Sequence, residues 1–110
     1  MLIITTPNIE GHKITKYHGM VSGQAILGAN IFKDIFASIR DIVGGRSAAY
    51  EQELRRAKDF ATNEMTAAAE EFGANAIIGV DLDFETITLS RGGTMLMVST
   101  AGTAVNYKKV

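Results

Sequence analysis

The chain has no cysteine and no tryptophan, and one proline, Pro7, among its 110 residues. Without cysteine there can be no disulfide, no thiolate nucleophile and no Cys-based zinc site. Aromatic residues make up only 7% of the sequence, so small and aliphatic side chains must build the core. Neither sign of charge dominates: 11 basic residues face 12 acidic ones, for a net charge of −1. The basic residues are scattered and form no stripe of the kind that grips a phosphate backbone, so nucleic acid is not an expected partner. No apolar run approaches the roughly 20 residues of a membrane-spanning helix, so no membrane partner is expected either. The opening residues 1–7 lack the basic stretch and apolar centre of a signal peptide, and a cytoplasmic protein is the expectation.

What is present suits one domain spanning residues 1–110. The apolar share is 46%, with 11 glycines that favour close backbone approach over bulky packing. A chain of this length buries roughly 60–70% of its unfolded surface, enough for a single core. A short β segment is expected at residues 2–6, stopped by Pro7-Asn8. A turn at Glu10-Gly11-His12 leads into a strand over 13–25. Its inward face is either Ile14, Lys16, His18 and Met20 or the alternate set Thr15, Tyr17, Gly19 and Val21. Asn30 can cap a helix in which Ile31, Ile35, Ile39 and Ile42 recur at helical spacing, flanked by Phe32, Phe36 and Val43. So wide an apolar surface points to contact with another subunit. Gly44-Gly45 stops that helix, and Ser47 caps a second one over 48–72. Its apolar stripe is Tyr50, Leu54, Ala57, Ala61, Met65, Ala68 and Phe72. Two more strands follow, 75–89 and 94–107, joined by a turn at Ser90-Arg91-Gly92-Gly93.

The expected fold is therefore α+β. A mainly antiparallel sheet carries two helices on one face, in the order β-β-α-α-β-β. The most informative stretch is Gly73-Ala74-Asn75-Ala76-Ile77-Ile78-Gly79-Val80-Asp81. Gly73 supplies the left-handed residue that ends the long helix, and a buried strand begins at once. In that strand Ile78, Val80, Leu82 and Phe84 read as one face, while Asp81, Asp83 and Glu85 alternate on the other as an acidic ladder. Ile87 and Leu89 then fall on the acidic face, which suggests a bulge near Glu85–Thr86.

The ladder is the strongest chemical hint. Like charges roughly 6 to 7 Å apart repel, so they call for solvent, a counter-charge or a cation. With His18 as a nitrogen donor from a neighbouring strand, Asp81, Asp83 and Glu85 are the candidate ligands of a divalent metal. The bland alternative is a solvated face, or carboxylates paired with bases across a subunit boundary. Oxygen donors favour hard ions; soft ions favour thiolates and thioethers, and Met95 and Met97 read as core filler. His12 and His18, the only histidines, are of kinds more often structural than ligating. Arg46 and Ser47, in Gly44-Gly45-Arg46-Ser47 at a helix start, are candidates for holding an anion through free N–H groups. The alternative there is a tight helix–helix turn. No serine or threonine has a histidine and carboxylate arranged around it in the sequence, so no catalytic residue is assigned.

Gly44-Gly45-Arg46-Ser47 followed by Tyr50-Glu51, the long helix, and the stretch 73–81 together resemble the YbjQ-like family. The opening Leu2-Ile3-Ile4-Thr5-Thr6 and the strand Gly19-Met20-Val21-Ser22-Gly23 match as well, so the resemblance covers essentially the whole chain. These are small bacterial proteins of uncertain role that often carry a heavy-metal-binding label. The resemblance implies a dodecin-like two-layer subunit assembled as a ring, a homopentamer. The label sits badly with a chain that has no cysteine. The function expected first is a non-enzymatic, ring-forming binding or scaffold module with ion or small-ligand sites between subunits. The alternatives are a divalent-metal-binding or sensing protein, and an enzyme with an Asp/Glu/His site at that boundary.

Overall fold

The computed structural model describes residues 1–27, 48–88 and 94–109. The helix expected over 30–43, the Gly44-Gly45 stop, Arg46, Ser47 and the turn at 90–93 lie outside the described residues. The described elements are β1 (Leu2–Ile3), β2 (His12–Leu27), α1 (Ala48–Glu71), β3 (Ala76–Thr88) and β4 (Thr94–Lys109). They form a mixed four-stranded sheet in the order β1-β3-β4-β2. β4 lies between β2 and β3 and pairs antiparallel with both, while β1 runs parallel to β3. The fold is α+β with an open sheet, and α1 is the one helix among the described residues. No described helix is long and apolar enough to cross a membrane.

α1 lies over β2 and β4, and its buried stripe is Ala57, Ala61, Met65 and Ala69, a strict spacing of four. Leu54 and Ala68 flank the stripe half-buried, but Phe72 is 52% exposed, so the stripe leaves the expected line at its C-terminal end. The small residues let the helix come down onto the sheet backbone. At Gly23 a Cβ atom would run into the carbonyl oxygen of Ala61 and stand 2.8 Å from the Met65 nitrogen. Thr100 on β4 is paired with Gly23 and is buried; its hydroxyl donates to the Ala61 carbonyl at 3.1 Å. Two apolar clusters form under the helix. Val21, Met65, Ala69, Ile77 and Ala104 make one, and Leu27, Ala57, Ala61, Leu96 and Val98 make the other.

A third cluster lies on the opposite sheet face, where Ala76, Ile78 and Val105 are covered by Leu2, Ile4, Ile9, Ile14 and Tyr107. The N-terminal segment thus covers one end of the sheet from below while α1 covers it from above. This arrangement corrects two expectations about facing. In β2, register shifts between Ile14 and Lys16 and between Tyr17 and Gly19 break the alternation. Neither expected face exists as a unit: Ile14 joins the lower cluster while Lys16, paired with Asn106, lies on the helix side, and Tyr17, paired with Val105, lies opposite Val21 of the upper cluster. In β3 the register shift falls between Ile78 and Asp81, not near Glu85–Thr86. Pairing from Asp81 to Thr88 is then regular. An extra residue flips every side chain beyond it to the other face. Ile78 therefore faces the N-terminal segment, while Leu82 and Phe84, paired with Thr100 and Val98, lie on the helix side.

The close seat of α1 on Gly23 sets a stability test. Gly23→Ala should lower the unfolding free energy by about 3 kcal/mol, the upper end for overpacking a well-packed site. Urea denaturation monitored by circular dichroism measures it; an unchanged midpoint would contradict the close approach.

Candidate functional site

The stretch from Gly73 to Val80 is occupied by structural roles. Gly73 adopts φ 78°, and its N–H donates to the Glu70 carbonyl at 2.9 Å. The N–H of Ala74 reaches back to Ala69 at 3.2 Å, so the free carbonyls at the helix end are satisfied. Asn75 then mimics a strand residue with its side chain. Its Nδ2 donates to the Tyr107 carbonyl at 3.0 Å, and its Oδ1 accepts the Tyr107 N–H at 2.9 Å. Ala76, Ile77 and Ile78 enter the core. Gly79, at φ 60°, turns the chain through the bulge. The N–H groups of Gly79 and Val80 point to the carbonyls of Thr6 and Ile4, at 2.9 and 3.1 Å.

His18 stands at the C-terminal end of α1. Its ring stacks on Phe72 with centroids 5.8 Å apart, and its Nε2 is hydrogen-bonded to the Asn106 side-chain oxygen. The Asn106 Nδ2 donates to the Gly73 carbonyl at 3.0 Å, which turns the amide oxygen toward the histidine. Nε2 is therefore the protonated, donating nitrogen. Asn106 was not singled out from the sequence, although an asparagine inside a strand goes against β preference and marks such a clamp. Asn106 shares the helix side of β4 with Ala104 and Thr100 by alternation.

The acidic ladder is on the other side. Asp81, Asp83 and Glu85 pair with Ala101, Ser99 and Met97, the positions of β4 that face away from α1. The three carboxylates do share one face, all of them exposed. His18 does not join them: the structure sets it on the opposite side of the sheet. Asp83 has its pKa raised above 3.8, first because it shares a hydrogen bond with Asp81, then because the Asp81 and Glu85 charges repel its own. His12 begins β2, bonded through Nδ1 to the Glu10 carbonyl at 2.9 Å and edge-on to Tyr107. With Asn8, Ile9, Lys13, Ile14 and Tyr17 it lines an open cleft of about 430 Å³. The anion candidates Arg46 and Ser47 lie outside the described residues.

Residues 1–108 match the model of the YbjQ_1 family, which is described as "Putative heavy-metal-binding". The chain belongs to the YbjQ family. A similar solved structure is the crystal structure of a protein with unknown function from the DUF74 family of Pediococcus pentosaceus ATCC 25745. It is 18% identical, covers 98% of each chain and superposes with a TM-score of 0.69, which establishes a shared fold. The donor set of this YbjQ chain does not fit a soft heavy metal, because cysteine is absent and the carboxylates offer only oxygen. Among the described residues, no three His, Asp or Glu side chains converge as a metal ion requires.

The ladder has a pH signature. A raised carboxyl pKa in the folded state stabilises the fold below 3.8, and that contribution is lost as pH rises through the raised value. At neutral pH the charged Asp83 therefore opposes folding. Asp83→Asn should raise the melting temperature at pH 7 and leave it unchanged at pH 3. Thermal denaturation at the two pH values measures this, and a lower melting temperature at pH 7 would mean that Asp83 is paired with a positive group.

Proposed function

We propose that this YbjQ-family chain is a non-enzymatic building block that assembles with copies of itself into a closed ring in the cytoplasm. Ion or small-ligand sites would then lie where subunits meet. The observation that carries this reading is the strand beyond the bulge in β3. Every residue from 81 to 88 is exposed, although the strand is fully paired with β4. Three of them are large and apolar: Leu82, Phe84 and Ile87, at 39%, 48% and 36% exposure. A strand exposed on both faces with apolar residues on each is a surface in need of a partner.

The dodecin-like subunit with two helices on one sheet face, and the pentameric count, come with the family resemblance and belong to this reading.

A second reading, a site for a hard divalent ion, is favoured by the three exposed carboxylates of Asp81, Asp83 and Glu85 on one strand face, where positive charge would relieve repulsion. Calorimetric titration with calcium and magnesium tests it, and no heat at millimolar ion would end it. For the assembly, light scattering on the purified protein should give a mass several times 11.8 kDa. A mass of one chain at all concentrations would contradict it.

A further inference from the structure

We infer that the cleft beside the start of β2 is a binding site for a small aromatic carboxylate, built within one subunit. The inference goes beyond the assembly proposed above and does not depend on it. Residues between Asn8 and Tyr17 of a single chain line the whole cleft. Its shape follows from two local features. The first is the turn that joins the N-terminal segment to β2. Gly11, at φ 74°, lets the chain reverse, and the His12 N–H closes the turn on the Ile9 carbonyl at 3.1 Å. The Thr6 hydroxyl donates to the Asn8 carbonyl at 2.9 Å, which fixes the wall on the N-terminal side.

The second feature is the irregularity in β2 between Ile14 and Lys16. Ile14 pairs with Tyr107 and Tyr17 with Val105, and both partners belong to the lower cluster. Ile14 and Tyr17 therefore share the lower face three positions apart, where a regular strand repeats every two. The extra residue is Thr15, whose hydroxyl donates to the Asn106 carbonyl at 3.2 Å. The longer step leaves room between the two side chains, and both of them line the cleft of about 430 Å³. That volume suits a small organic molecule.

The lining divides by chemistry. Ile9 and Ile14 give an aliphatic wall, and Tyr17 adds an aromatic ring that the fold leaves 66% exposed. A flat apolar body fits such surfaces. Lys13 brings a positive charge and Asn8 an amide donor, a pair that matches the two oxygens of one carboxylate. His12 is a fixed wall, held by the Glu10 carbonyl and by its edge-on contact with Tyr107.

The surrounding charge points the same way. Neither β2 nor β4 carries an acidic residue, and Glu10 is the one acid in residues 1–27. Lys13 stands directly opposite Lys108, with Lys109 next along β4. Like charges directly opposite one another destabilise a strand pair, and an anion seated at Lys13 relieves that repulsion. The same charges repel a metal cation, which separates this site from the acidic ladder.

Benzoate is the probe, with amide chemical shifts followed by NMR on the whole protein. The amides of Asn8, Ile9, His12, Lys13 and Tyr17 should shift saturably at millimolar benzoate. Acetate lacks the ring and benzyl alcohol lacks the charge, so each should bind at least about fivefold more weakly. Lys13→Gln and Tyr17→Ala change exposed side chains and should keep the parent spectrum away from the cleft. Each should weaken benzoate by about fivefold. Three results would overturn the site: no saturable shift, acetate binding as tightly as benzoate, or an affinity unchanged in both variants.

Discussion

The described fold is arranged around the contact in which α1 rests directly on the backbone of β2 at Gly23. A helix on a sheet is ordinarily held off by the side chains between them. Here the stripe Ala57, Ala61, Met65 and Ala69 keeps only one long side chain at the contact, and at Gly23 the sheet has none. The Thr100 hydroxyl ties the same point to the Ala61 carbonyl. Close approach fixes where the helix can lie: over β2 and β4, with little reach toward the far part of β3. The Gly73 turn and the Asn75 and Asn106 clamps then deliver the chain into β3 at the covered end of the sheet.

One consequence is that the exposed half of β3 is a direct product of the packing. The N-terminal segment covers the lower face only near Ala76, Ile78 and Val105, and its pairing with β3 stops at the bulge. Past Val80 the strand has neighbours on one edge only among the described residues. Its alternation of Leu82 and Phe84 against Asp81, Asp83 and Glu85 shows a strand with two different environments to fill. The acidic side remains open, where mutual repulsion already raises the Asp83 pKa.

Much of the backbone was legible in the sequence, because its signals are local. Gly73 ended the helix within a residue of the expected place, and the strands at 75–89 and 94–107 are β3 and β4 to within two residues at each end. The acidic ladder was legible too, since strand alternation needs no tertiary information once a strand is assigned. What failed was everything set by register. The bulge at Gly79–Val80 inverts the faces of β3, and its cause is the N-terminal segment, some seventy residues away in the chain, taking up two N–H groups. The two irregularities in β2 likewise erased both alternating patterns. His18 was joined to the ladder on the assumption of one shared face, and the fold sets it with Phe72 and Asn106 on the other. The stretch 73–81, one part of the resemblance to the YbjQ family, is used by the fold for capping, pairing and bulge formation, which is why it says so little about chemistry.

The central claim is the proposal that the exposed part of β3 beyond Val80 is covered by another copy of the chain. Backbone amide hydrogen exchange, followed residue by residue over a range of protein concentrations, addresses it most directly. The amides among residues 81–88 that point away from β4 should be slow to exchange where the protein is assembled, and should quicken on dilution. Those of Ala76 to Ile78 should stay protected throughout. Fast exchange at the outward-pointing amides at every concentration would contradict the account.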